Sequence, residues 1–215
     1  MVDQALLPAI DATIRQNEIG NGSPYQLSFA CKGKSGASFG FMQGDTNVSS
    51  LARNTLTQVL AAAGVDQATS ARILAALSCA LPNGNPLSGP DTALVNNALS
   101  SAAGQPIVDA MDQTLLGGVL SGLDTCVDAA ATAGLTLAPI AFLYIAPWIN
   151  MSGPPNLMNV WLAGSPVHGV PPPTPPTVTE SNMISYLQSM AYFQANPRNF
   201  AHLQQCVQVG AALLP

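Results

Sequence analysis

Residues 20–45 read GNGSPYQLSFACKGKSGASFGFMQGD, and they separate two stretches of a different character. The segment is rich in Gly and Ser, holds only short aromatic and apolar pieces, and lacks the helical spacing found on either side. Within it, residues 25–30 (YQLSFA) are expected to form a short strand and the rest a loop. Long irregular segments inside compact domains usually carry function, so chemistry is sought here first.

Outward from this segment the chain is helical in pattern. Before it, Leu6, Leu7, Ile10 and Ile14 form one apolar stripe, closed by Gly20. After it, Val48, Leu51, Ala52, Leu56, Val59, Leu60 and Ala63 form another, stopped by Gly64. Further helices are expected over 67–80, 91–103, 107–120, 125–133, 138–149, 157–162, 181–194 and 198–213. Gly and Pro clusters punctuate them at 81–90 (LPNGNPLSGP), 164–166 (GSP) and 170–177 (VPPPTPPT). The Pro-rich strap over 166–177 is expected in polyproline form, joining two C-terminal helices to the body. No internal repeat is visible. The expected architecture is a mainly α single domain over 1–215 with one small irregular, β-like insert.

Composition narrows the functional classes. The 215 residues are 48% hydrophobic and 8% charged, the reverse of a disordered chain. The net charge is −5, and none of the six Lys and Arg falls within 73–197, so the basic stripe that a nucleic-acid binder needs cannot be built. Residues 129–179 carry no Asp, Glu, Lys or Arg, yet ten prolines interrupt them. The best apolar run, 135–149, holds Pro139 and Pro147 and falls short of the roughly 20 residues of a spanning helix. Membrane insertion is therefore not expected, nor is a partner subunit. The opening MVDQALLPAIDAT lacks the basic and apolar regions of a secretory signal, so either export takes another route or a leader has been removed. Cys31, Cys79, Cys126 and Cys206 form no C-x-x-C pair, so neither a zinc ribbon nor a redox motif is expected. Buried free thiols are the expectation, with three pairings open in an oxidising compartment. His168 and His202 sit in no motif, and no metal or cofactor is expected.

The chain contains two glutamates. Glu180 starts an expected helix, where its charge complements the dipole. Glu18 occupies the last turn of the first helix, where the dipole disfavours an anion by roughly 0.3–1 kcal/mol. It follows Ile10 and Ile14 at i+4 steps, so it projects from the edge of the apolar stripe. Partial burial and a helix C-terminus both favour the protonated form, which is what a general acid near neutral pH requires.

An acid ending a helix, followed by Ser35-Gly36-Ala37-Ser38-Phe39-Gly40-Phe41-Met42-Gln43, resembles the Glu…Ser-x-x-x-x-Gly-Leu-Met-Gln signature of lytic transglycosylases and goose-type lysozymes. Later, Trp148-Ile149-Asn150-Met151-Ser152-Gly153-Pro154-Pro155, with Trp161-Leu162 beyond it, resembles the Tyr-Asn-Ala-Gly-Pro segment of the same superfamily. The resemblance covers about a quarter of the chain; Ile19 stands where the family has Ser after the acid. A weaker likeness to chitosanases rests on Gly40-Phe41 and Gly44-Asp45.

What the resemblance implies is a lysozyme-like fold of two lobes, with a small wing and a cleft between the lobes, working as a glycoside hydrolase on the β-1,4 bonds of peptidoglycan glycan strands, with a chitosanase or lytic transglycosylase as the alternative. Glu18 would protonate the glycosidic oxygen. Ser38 and the run Gly40-Phe41-Met42-Gln43 would line the cleft, Asn150 would hydrogen-bond the sugar, and Tyr25, Phe41, Trp148 and Trp161 would offer stacking faces or pack in the core. Asp45 would be either the base that activates water in an inverting hydrolase or a cap of the helix that follows. With Asp45 as a cap, Glu18 alone would serve a lytic transglycosylase. The acidic chain also suits a cationic polymer such as chitosan. A polysaccharide partner implies secretion or delivery to the cell wall. A glycan-binding protein that does not cleave stays open as the alternative of another class.

Overall fold

The computed structural model describes residues 1–215. The chain is mainly helical, with 61% of residues in helix, ten α-helices and small sheets. It divides into two compact units, residues 1–20 with 117–215 (unit 1) and residues 21–116 (unit 2).

Unit 2 opens on three short strands, β1 (Ser28–Phe29), β2 (Ala37–Phe39) and β3 (Gly44–Asp45), in an antiparallel sheet of order β1-β2-β3. The sequence pattern marks only the first of these. The other two hold few β-branched residues and are fixed by tertiary hydrogen bonds: the buried Thr46 donates its N–H to Ala37 O at 2.8 Å, and its hydroxyl donates to Leu77 O at 2.6 Å. Helices α2 (Ser50–Ala62), α3 (Gln67–Leu77) and α4 (Gly89–Ser100) follow, and α5 (Gly104–Thr132) begins in this unit. Ser49, Asp66 and Ser88 cap α2, α3 and α4 by accepting from backbone N–H groups of the first turn. Their apolar faces meet β2 in a core of Phe39, Leu56, Leu60, Ile73, Leu77 and Leu99.

Two helices are expected over 107–120 and 125–133; a single helix of 29 residues, α5, covers both. Gly117, Gly118 and Gly122 suggest a break, but glycine inside a helix costs only about 0.5–1 kcal/mol. At Gly122 a Cβ would stand 3.0 Å from Ile149 Cδ1, so the bare backbone lets α6 (Pro139–Ser152) pack close.

Unit 1 contains α1 (Leu7–Glu18), the rest of α5, α6, α7 (Asn156–Leu162), α8 (Glu180–Ser189), α9 (Ala191–Ala195) and α10 (Pro197–Ala211). Residues Ala141 to Pro147 of α6 are all buried, as expected for a helix apolar all round. No helix of the chain is long and apolar enough to cross a membrane. One helix is expected over 181–194, but the extended backbone of Met190 (ψ 132°) splits it into α8 and α9. The proline strap is stitched down: Trp161 Nε1–H donates to Pro171 O at 2.8 Å, and β5 (Thr177–Val178) pairs in parallel with β4 (Thr136–Leu137). Trp161 is thereby a core residue, 1% exposed.

Candidate active site

Glu18 ends α1, so its carboxyl stands where the unpaired carbonyls of that helix collect. The side chain is half-buried. Asn17 Nδ2 donates to Glu18 Oε1 at 2.9 Å, and the amide of Asn150, in the last turn of α6, lies near enough to the same carboxyl to favour its charged form. Burial holds the Glu18 pKa above the ordinary carboxylate value; the amides of Asn150 and Asn17 and the imidazole of His202 pull the other way and do not cancel it. The result is a carboxyl biased toward its neutral form yet still reached by solvent.

His202 and Cys206 of α10 complete this cluster. Asn17 O lies 3.4 Å from His202 Nε2, which is 3.5 Å from Cys206 Sγ. Cys206 is fully buried, and burial pushes its thiol up to about 11, so it stays protonated. The sequence carries one faint mark of this group, the i, i+4 spacing of His202 and Cys206; nothing in it links residue 202 to residue 18.

Of the expected sugar-contacting residues, Asn150 is the one that stands near Glu18. Trp148, two residues earlier on α6, points about 200° round the helix. Its ring lies 5.3 Å from that of Phe193 and 6.3 Å from that of Tyr192, beside a pocket of about 250 Å³ that Pro154, Leu157, Tyr186 and Met190 also line.

Tyr25, Ser38, Gly40, Phe41, Met42, Gln43 and Asp45 belong to unit 2. There Phe41 and Met42 are 4% and 3% exposed, buried in the interior instead of presented to a sugar. Their backbone N–H groups donate to the buried carboxylate of Asp112 at 2.9 and 3.0 Å. Gly40, at φ +78°, is the position where the loop turns past that carboxylate, and a Cβ there would stand 2.8 Å from Met111 Cε. The close backbone approach at Gly40 is thus made to Asp112, which no sequence pattern singles out. Gln43, at φ +52°, folds back: Nε2 donates to Gly40 O at 2.9 Å and Oε1 accepts from Ser28 Oγ. Ser38 is 7% exposed in β2, opposite Asp45 in register. The Tyr25 hydroxyl donates to Asp109 at 2.9 Å.

The carboxylate of Asp45 is engaged by backbone. Oδ1 accepts from Gly36 N (3.1 Å), Asn47 N (2.7 Å) and Val48 N (3.3 Å), and Oδ2 from Gly36 N (3.0 Å). It caps the turn after β3; the N-cap of α2 itself is Ser49. Glu180 likewise has a second task beyond the helix dipole, because Oε1 accepts from the hydroxyl of the buried Tyr144 at 2.9 Å.

The four cysteines are free; Cys126 and Cys206 are buried as expected, whereas Cys31 and Cys79 are exposed. No group of three or more His, Cys, Asp or Glu is arranged to hold a metal ion. Comparison with protein-family models, with curated proteins and with solved structures returned no match.

Proposed function

We propose that this protein cleaves β-1,4-linked N-acetylated glycans of the bacterial wall, with Glu18 as the general acid. The carrying observation is the placement of that carboxyl: it is half-buried at the end of α1, where burial favours its proton and the Asn17 amide donates to Oε1. Asn150 comes from the second of the two segments that resemble the lysozyme superfamily, and its nearness to Glu18 supports taking the two segments together. The order of elements agrees as well, an acid-ending helix followed by a small antiparallel sheet and then helices. The two-lobed, clefted lysozyme-like form belongs to the same proposal.

In this chemistry Glu18 gives its proton to the glycosidic oxygen as the C1–O bond breaks. A specific observation favours the lytic route over hydrolysis. Asp45 holds its carboxylate against three backbone N–H groups, an occupation that suits a cap better than a base for water. The 6-hydroxyl of the same sugar then attacks C1 and returns its proton to Glu18, giving a 1,6-anhydro product with no water consumed.

The test is digestion of peptidoglycan, chitin and chitosan side by side, with product mass as the readout. Anhydro products are expected, one water lighter than hydrolytic ones. Glu18→Gln should lower the rate by roughly 10²–10⁴-fold with an unchanged circular-dichroism spectrum. Undiminished cleavage by that variant would refute the assignment, as would a wild-type protein inert on all three polymers.

A further inference from the structure

The sequence holds two Asn-Gly pairs, Asn21-Gly22 and Asn83-Gly84, and the fold gives them different surroundings. The side-chain carbonyl carbon of an Asn is one ring closure away from the backbone nitrogen of the next residue. Glycine at that next position, having no Cβ, leaves the approach open. Closure further requires that the nitrogen lose its proton and that the Asn backbone rotate.

At Asn83-Gly84 both requirements are opposed. Gly84 N–H donates to Leu81 O at 3.2 Å, closing a turn in which Gly84 holds φ +85°. The proton is engaged there, and forming the ring would open the turn. The next residue is fixed as well: Asn85 Nδ2 donates to Thr92 Oγ1 at 2.8 Å and Oδ1 accepts from Leu87 N at 3.0 Å.

At Asn21-Gly22 neither requirement is opposed. Helix α1 finishes at Gly20, φ +54°, whose N–H is shared between Arg15 O and Gln16 O, both at 3.2 Å. The chain is next held at Ser23, whose Oγ accepts from Tyr25 N at 3.2 Å, and at Pro24, whose O accepts from Gly40 N at 2.7 Å. Between these anchors Asn21 and Gly22 are exposed and make no hydrogen bond.

We propose that Asn21-Gly22 is a site of spontaneous modification, at which the Asn21 amide closes on Gly22 N and water reopens the ring. Gly22 N gives up its proton and bonds to Asn21 Cγ. The Cγ–Nδ2 bond breaks and ammonia leaves, so that a cyclic imide remains. Water then adds to one of the two ring carbonyls. Opening at Cγ leaves aspartate; opening at the main-chain carbonyl leaves isoaspartate, whose backbone runs through Cβ and is longer by one carbon. Nothing is oxidised or reduced, and water is the co-reactant. Either product places a new negative charge just past the C-terminal end of α1, the end at which the dipole disfavours it. Residue 21 is also where the chain passes from unit 1 into unit 2, so the lengthened backbone falls on that passage.

The experiment holds the full-length protein in mildly alkaline buffer at body temperature and maps its peptides by mass spectrometry over time. An isoaspartyl methyltransferase counts the isoaspartate formed. The peptide holding Asn21 should gain about one dalton, ammonia lost and water gained, several-fold faster than the peptide holding Asn83. Raising the pH should speed the reaction, because Gly22 N must lose a proton. In denaturant the two rates should converge, since both pairs then have the same free backbone. Gly22→Ala changes an exposed residue, and with an unchanged circular-dichroism spectrum it should slow the first site several-fold and leave the second as it was. Equal rates at the two pairs in the native protein, or a faster Asn83, would overturn the proposal. So would an Asn21 peptide that keeps its mass in the native protein while the denatured one reacts.

Discussion

Replacing Gly210 by alanine sets two effects of opposite sign against each other. Alanine is the better helix former, and in a helix interior the exchange returns up to about 1 kcal/mol. Against this stands the α1 surface. A Cβ at position 210 would overlap Thr13 Oγ1, approach Ala9 O to 2.5 Å and meet Leu143 Cδ1 at 3.3 Å. The Thr13 hydroxyl cannot swing clear without giving up its own 2.8 Å bond to Ala9 O, and the carbonyl is helix backbone. Overpacking of this kind costs roughly 1–3 kcal/mol, and contact with backbone belongs at the upper end. Sterics win by about 1–2 kcal/mol. The control is Gly118→Ala on α5, where nothing lies within 4 Å of the new methyl, so propensity alone acts and the variant gains about 0.5–1 kcal/mol. The two variants should then differ by about 1.5–3 kcal/mol, or roughly 3–12 °C in Tm for a chain of this size. Trp148 and Trp161 are the only tryptophans and both lie in unit 1, as do both glycines, so intrinsic fluorescence during a thermal ramp reads the right unit. If Gly210→Ala melts with or above Gly118→Ala, the close approach of α1 and α10 is refuted.

Three further outcomes are expected. Asp112→Asn keeps the shape of the side chain but turns an N–H₂ toward one of the two loop N–H donors, so stability measured by urea unfolding should fall by roughly 1.5–3 kcal/mol; an unchanged midpoint would deny Asp112 its hold on residues 40–42. An aromatic disulfide reagent should titrate two thiols in the native protein, Cys31 and Cys79, and all four in denaturant, because Cys126 and Cys206 are buried and pushed up to about 12 and about 11; four fast thiols in native buffer would contradict that burial. Glu18→Gln should be more stable than wild type at neutral and alkaline pH. The folded carboxyl binds its proton more tightly than the unfolded one, so wild-type stability is full below the unfolded Glu value and declines as pH rises through the raised folded one; the advantage of the variant should vanish below about pH 4, and Tm against pH for both proteins tests it.

The helices were legible because apolar spacing and caps speak locally. Leu6 to Ile14 and Val48 to Ala63 carry their own stripes, and Ser49, Asp66 and Ser88 sit where caps belong. Glu18 was legible for the same reason, since its place at the end of a stripe implies both the dipole and the burial. What escaped was set by distant partners. Strands β2 and β3 exist because Thr46 reaches Ala37 and Leu77, the glycines of α5 are read as punctuation until Ile149 is seen against Gly122, and Asp112 and His202 meet residues far away in sequence. Phe41 and Met42 are a cleft lining only by the resemblance of their segment to the family signature; their burial goes with a carboxylate on α5 that accepts from their backbone N–H groups.

Unit 1 is assembled from both sides of unit 2 in the chain, with α1 closing against α10. During synthesis, residues 21–116 emerge as one uninterrupted piece and can consolidate while translation continues. The part of α1 around Ala9 and Thr13 that α10 covers must wait for residue 197 and beyond, roughly 10–40 s at ordinary ribosomal rates. For that interval this side of the first helix stays uncovered, and slowing the ribosome between codons 18 and 197 would lengthen the exposure without changing a single atom of the finished protein.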